Sequence, residues 1–284
     1  MTTSSGNIAI KRITVAIDCS PHSRASLAAA AEIAGRLHAE LLGIFIEDIN
    51  LIRMAELPFT QEIQVHTARC EPFDLEKAER MLKQQSREAS RLLRESAERF
   101  AIPHSFRTLR GTVPSLLLSA ALDTDLLAIG RWGKTPSCKR GLGSAAQKAV
   151  RESKTSVLVT HAGFSLQSPV VVLFDGSAGA KKALETALGL VREKTFLHVF
   201  LLGKNASEQT IIRKEAEQLL GRKTENAEFH AVPWTEGPML RQCIRMTSPG
   251  LLIVSENTEA LKRETLYRLV DTVDCPVLLV RSTA

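Results

Sequence analysis

The strongest constraint on this chain is a pattern that occurs twice. "ITVAIDCSPHSRASLAAAAEIAGRL" begins at Ile13 and "VVVLFDGSAGAKKALETALGLV" begins at Val170. Each copy opens with a short β-branched run, reaches an Asp (Asp18, Asp175), places a Ser two residues later (Ser20, Ser177) and continues into an Ala/Leu-rich helical stretch. Internal similarity on this scale implies two copies of one folding unit. The element order repeats as well. In the first half, strands are expected near 13–18, 41–46, 104–109, 125–130 and 155–160, with helices near 23–37, 74–99, 113–121 and 143–152. In the second half, strands are expected near 170–175, 197–202, 227–232, 251–255 and 276–281, with helices between them. Strands alternating with helices make βαβ units and a mostly parallel sheet. Continuous apolar strands suit a sheet covered by helices on both faces. The expected fold class is α/β, with two tandem domains, each a five-stranded mostly parallel sheet flanked by helices. The polar, turn-rich "HAGFSLQSP", His161 to Pro169, reads as the linker and places the domains at 1–162 and 168–284.

Composition supports two ordinary domains in 284 residues, with 44% hydrophobic and 24% charged residues. The net charge is +6, but Lys and Arg are dispersed among Glu and Asp. A nucleic-acid binder concentrates such charge in a stripe, so that partner is not expected. No apolar run approaches the ~18 residues needed to span a bilayer, and "MTTSSGNIAIKR" lacks the apolar run of a secretory signal. The five cysteines (Cys19, Cys70, Cys138, Cys243, Cys275) are widely spaced and form no C-x-x-C pair. They argue against a disulfide framework and fit a reducing cytoplasm.

The first half carries an insertion, 48–72, that the second lacks. An interaction element, a lid and a packing cover are all open readings for such a segment. Within it Glu62, His66 and Cys70 are spaced four apart. On a helix they would share one face, where they could hold zinc with a further ligand. Chance spacing is the alternative, and Pro72 limits any helix. The seven histidines are otherwise scattered and read as surface or packing residues.

The first half also carries "GRWGKTPSCKRGLGSAAQKAV", Gly130 to Val150, directly after the fourth strand. Parallel sheets bind ligands beyond the carboxyl ends of their strands, and a helix start offers unpaired N–H groups to an anion. Two familiar fragments here are decoys. "GKT" at Gly133 to Thr135 lacks the earlier glycine of a Walker A loop, since position 128 is Ala, and Pro136 follows where a helix should start. "GLGSAA" at Gly141 to Ala146 lies on the fourth strand's loop rather than in a tight turn after the first. The spacing that fits without gaps is Gly130, two residues, Gly133, nine residues, Gly143, then Ser144.

This G-x2-G-x9-G-[S/T] pattern beside the strand-one Asp18 resembles the universal stress protein family, in its tandem form, over about residues 10–282. The resemblance implies a Rossmann-like fold related to adenine-nucleotide alpha hydrolases, and ATP binding with or without Mg2+. By that resemblance Asp18 lies at the adenosine end of the pocket and Ile46 presents its backbone to the adenine. Gly130 and Gly133 cover ribose and phosphates, and Gly143 and Ser144 bind phosphate at the helix start. Arg131, Lys134, Lys139 and Arg140 lie within the loop, where phosphate contacts and plain solvation are both open. Trp132 either walls the pocket or pins the loop. Cys19 and Cys138 flank it as packing or redox-sensitive residues. The family's terminal strands pair across a dimer, so a tandem chain is expected to form an intramolecular pseudo-dimer, with homodimerisation an open addition.

In the second half, Ser255 replaces Gly130 and Thr258 replaces Gly133. Glu256 and Glu259 would place negative charge where phosphates lie. Asp175 and Ser177 read as a helix cap, with a small polar ligand as the alternative. One nucleotide site per chain is therefore expected. No nucleophile–base motif stands out. The leading reading is a cytoplasmic stress-response protein that binds ATP in its N-terminal domain and signals through it or binds a partner, with at most slow hydrolysis. The alternatives are a scaffold holding a metal, lipid or other small ligand through the second domain and the insertion, and an ATP-dependent enzyme with a second substrate.

Overall fold

The computed structural model describes residues 10–63, 69–134, 141–160, 169–191, 195–233 and 237–281. The first half comprises β1 (Arg12–Ala16), α1 (Pro21–Leu37), β2 (Glu40–Asp48), α2 (Ile49–Ala55), β3 (Gln61–Ile63), β4 (Cys70–Pro72), α3 (Leu75–Arg99), β5 (His104–Gly111), α4 (Val113–Ala121), β6 (Leu126–Gly130), α5 (Ser144–Glu152) and β7 (Ser156–Thr160). The second comprises β8 (Val170–Phe174), α6 (Ala178–Leu190), β9 (Leu197–Gly203), α7 (Ala206–Leu220), β10 (Ala227–Pro233), α8 (Gly237–Met246), β11 (Leu251–Ser255), α9 (Arg263–Thr272) and β12 (Val277–Val280).

Local chemistry explains where these elements start. Ser20 accepts the Ser23 N–H and Pro21 sits at the first helical position, fixing the start of α1. Asp74 caps α3 through the Lys77 N–H. Ala78, Leu82, Ala89, Leu93 and Ala97 then recur at helical spacing and bury one stripe of that otherwise charged helix.

Ten strands form one sheet in the order β10-β9-β8-β11-β12-β7-β6-β1-β2-β5. Each half contributes five parallel strands, and the halves join where β12 runs antiparallel to β7, with Leu278 opposite Leu158. The apolar terminal strands therefore satisfy each other inside one chain, which removes two exposed edges. Helices α1, α3, α6 and α7 cover one face, with Leu27, Leu93, Ala183 and Ile212 in its core. Helices α4, α5, α8 and α9 cover the other, with Leu117, Val150, Ile244 and Leu266. Arginines reinforce the join. Arg36 on α1 donates to the Leu190 carbonyl at the end of α6 (2.5 Å). Arg281, buried after β12, reaches across to the Ala149, Val150 and Thr155 carbonyls at the end of α5.

The insertion is a packing element with an exposed rim. Helix α2 meets α3 through Ala55, Phe73 and Ala78, while Leu57, Phe59 and Ile63 are exposed. The metal-binding stripe expected from Glu62, His66 and Cys70 does not form. Residues 61–63 and 70–72 make an antiparallel hairpin, not a helix, with Glu62 opposite Glu71 and Ile63 opposite Cys70. Side chains alternate faces along a strand, so Glu62 and Cys70 point to opposite sides. Glu62 instead pairs with Lys77 at 3.0 Å. His66 lies outside the described residues.

Candidate functional site

The order of strands reverses between β1 and β6: the chain runs outward from β1 to β2 and β5, and the other way from β6 to β7. A crevice at the carboxyl ends of β1 and β6 follows from that reversal. Asp18 lies just beyond β1, and Gly130 ends β6. Gly130 must be glycine because a Cβ there would come within 2.8 Å of the His22 backbone at the start of α1. At Gly133 a Cβ would sit 3.0 Å from Asp18 Oδ2, so the loop and the strand-one carboxylate touch.

Asp18 Oδ1 accepts the Ser20 N–H at 2.9 Å, and among the described residues Oδ2 accepts no hydrogen bond. Lys134 lies nearby; burial pulls its pKa below the ordinary ammonium value, and the Asp18 charge opposes that. Gly143 is the N-cap of α5, with no side-chain cap, and its own N–H goes to the Arg131 carbonyl at 2.8 Å. The donors turned to an incoming anion are therefore those of Ser144 and the residues after it, in the first turn of α5. The Ser144 side chain is exposed beside them.

The strand ladders fix which way the Ile46 backbone faces. The β1–β2 ladder ends at Ala16 opposite Ile44, with one further bond from the Ile17 N–H to the Ile44 carbonyl. The β2–β5 ladder runs on to Asp48. Backbone groups alternate sides along a strand, so Ile46 presents its N–H and carbonyl on the same side as Ile44, where β1 has already ended.

Arg131 is turned away from this crevice. Its buried guanidinium donates to the carbonyls of Asp271 and Val273 at the end of α9, the latter at 2.6 Å. Burial lowers its pKa, with Asp271 and Asp274 opposing. The phosphate contact expected of Arg131 is thus not available in this geometry; the side chain caps a helix C-terminus in the other half instead. Trp132 pins the loop: its indole N–H donates to the Gly141 carbonyl at 2.6 Å, and its ring meets His22 edge-on at 5.0 Å. Asp271 completes the attachment by accepting the Leu142 N–H at 2.7 Å. The glycine loop is thereby held at both ends against the second half. Sequence reasoning missed this anchorage because Asp271 stands 129 residues from Leu142 and no local motif announces it. A groove of about 980 Å³ behind the loop is lined by Arg131, Trp132, Asp271 and residues of α8; Asp18, Gly133, Gly143 and Ser144 do not line it. Cys19 is a packing residue. Its thiol donates to the Gln85 carbonyl, and burial raises its pKa. Cys138, Lys139 and Arg140 lie outside the described residues.

The equivalent place in the second half fills itself. Asp175 Oδ2 accepts the Thr258 hydroxyl (2.6 Å) and the N–H groups of Glu259 (2.6 Å) and Ala260 (2.9 Å). Oδ1 accepts the Ser177 N–H and hydroxyl. Burial pushes the Asp175 pKa up, but these hydrogen bonds outweigh it and hold the carboxyl below its ordinary value. Ser177 caps α6, as its sequence suggests. Glu256 does not face a phosphate position as expected; it pairs with Arg281 (2.7 Å) and Arg263 (2.9 Å) and accepts the Tyr267 hydroxyl. The loop closes because Asp175 takes its N–H groups.

A family model, the universal stress protein family, matches residues 9–161. The chain belongs to the universal stress protein family. Its fold is similar to that of a universal stress protein from Archaeoglobus fulgidus, with TM-score 0.68, 16% identity, and 95% of this chain and 98% of that chain covered. It is also similar to a functionally unknown protein from Pseudomonas aeruginosa PAO1, with TM-score 0.54, 15% identity, and 98% and 95% covered. At these identities the likeness shows the fold. No curated protein matches the chain. No described helix is long and apolar enough to cross a membrane.

Proposed function

We propose that this universal stress protein is built from two tandem domains, 1–162 and 168–284, and binds one ATP in the first. In this reading adenine meets the backbone of Ile46 and Asp18 bonds the adenosine moiety. Gly130 and Gly133 let the loop lie close over ribose and phosphates, and the first turn of α5 with the Ser144 hydroxyl receives the phosphates. The observation that carries the reading is the open first turn of α5 beside an Asp18 oxygen with no described partner, set against an Asp175 whose two oxygens are both occupied. Mg2+ would arrive on the phosphates, with the Asp18 carboxylate against the loop that covers them. No described side chain is placed as a general base, so the protein acts by nucleotide-dependent binding or signalling in the cytoplasm, with at most slow hydrolysis. Because the loop is held by Asp271 and Arg131, nucleotide occupancy is coupled to the second domain.

Native mass spectrometry of freshly purified protein tests the proposal. Co-purified or added ATP should appear at one per chain. No uptake of added ATP would sink it, and turnover of ~1 s⁻¹ or more would overturn the non-enzyme reading.

A further inference from the structure

Among the described residues, one set of three side chains brings metal-ligating atoms within 4.8 Å of one another: His198, Glu228 and His230. The sheet register creates it. In the β9–β10 ladder Glu228 stands opposite His198, and His230 is two residues further along β10. Alternate residues of a strand share a face, as do residues paired across two strands, so the three converge. The scattered histidines of the sequence thus include one gathered pair. Its local signal is the Glu-x-His spacing in a strand, which means nothing until β9 is placed beside it.

His198 Nδ1 lies 2.8 Å from His230 Nε2. Glu228 Oε2 lies 3.5 Å from the first nitrogen and 3.8 Å from the second. Ligand atoms about 2.0–2.1 Å from a tetrahedral zinc ion stand roughly 3.3 Å from one another. The triangle therefore needs an opening of about half an ångström on one side and a small closure on the other two. The hydrogen bond between the imidazoles holds the donor ring's one proton; for a metal ion to take its place, that ring adopts the tautomer with the proton on its remote nitrogen, as the acceptor ring already has, and both facing nitrogens are then free to ligate. Burial pushes the His198 pKa below its ordinary value, with His230 adding to this and Glu228 opposing it, which favours the neutral, ligating form of that ring. Phe196 and Phe200 brace the two rings at 5.1 and 5.0 Å. The His198 side chain is 12% exposed and that of Glu228 55%, so the open side of the triangle faces water on the sheet's edge strand.

We propose that His198, Glu228 and His230 form a divalent transition-metal site of the zinc class, with water in the remaining coordination positions. Two imidazoles and one carboxylate are a donor set that suits zinc and neighbouring first-row metals rather than calcium or magnesium. The site lies in the second half on β9 and β10, away from the β1–β6 crevice, and stands independently of the ATP reading.

The test is calorimetric titration of Zn2+ into the full chain, free of any affinity tag and of nucleotide, with Co2+ absorption as a second readout. The wild type should bind one ion per chain and give a visible Co2+ band. His198→Ala, His230→Asn and Glu228→Gln should each weaken binding at least tenfold and lose the band, with circular dichroism confirming that each variant is folded. Cys70→Ser and Cys243→Ser should bind as the wild type does. The proposal is overturned if the wild type takes up no zinc, or if folded His230→Asn and Glu228→Gln bind as the wild type does.

Discussion

Asp18 and Asp175 occupy equivalent positions at the ends of equivalent strands, and their carboxylates do opposite things. Asp175 takes five hydrogen bonds and closes its loop around itself. Among the described residues Asp18 takes one, from Ser20. The helix starts do not make this difference, because α5 and α9 both lack a side-chain cap. The loops make it. Gly133 lies against the Asp18 carboxylate without a side chain to cover it, and Gly130 lets the loop pass close to the His22 backbone. Ser255 and Thr258 fold back, with the Thr258 hydroxyl on Asp175 and the Ser255 hydroxyl so near α6 that a Cβ on Gly179 would collide with it. The same fold thus leaves the strand-end carboxylate open among the described residues of one half and makes it a plug in the other.

The largest expected effect sharpens the structural side of this contrast. Arg281→Ala removes a buried guanidinium from Glu256 and from the Ala149, Val150 and Thr155 carbonyls, and should cost about 3–5 kcal/mol in chemical denaturation. Asp175→Ala should cost about 2–3 kcal/mol, because the Ser177, Glu259 and Ala260 N–H groups lose a charged acceptor, while ATP affinity stays within twofold. Asp18→Ala should reverse the pattern, with a stability change of ~1 kcal/mol or less and at least tenfold weaker ATP binding.

A pH series separates the two carboxylates further. The folded pKa of Asp175 is depressed below its ordinary 3.8. Its contribution to stability is therefore fully present above that value and is lost as pH falls through the lower folded one. Acid unfolding of Asp175→Asn should show a flatter limb below pH 4 than the wild type. An identical limb would contradict the plug. The last test concerns the anchor: Arg131→Gln should lose about 2 kcal/mol and weaken ATP binding less than Asp18→Ala, since it loosens the loop without removing a ligand contact.

Much of this was legible in the sequence. Repeated strand–Asp–Ser–helix runs, Ser20 and Pro21 at the start of α1, and the charged α3 with its stripe of Ala and Leu encode their elements locally. Gly130, Gly133, Gly143 and Ser144 mark the crevice because their spacing is local too. What escaped was long-range. Arg131 looked like a phosphate ligand because only the fold brings the end of α9 to it. Glu256 looked like a repelling charge because its partner Arg281 lies beyond the next helix. Glu62, His66 and Cys70 matched a helical period, but a hairpin register separates Glu62 from Cys70. The reverse error hid His198 and His230, which share a face only through strand pairing.

The central claim is that one half holds nucleotide and the other is plugged. Isothermal calorimetry of the full chain with ATP and Mg2+ tests it most directly. The account predicts one site per chain, lost in Gly143→Val while the fold holds. Two sites per chain, or one site that survives Gly143→Val unchanged, would contradict it.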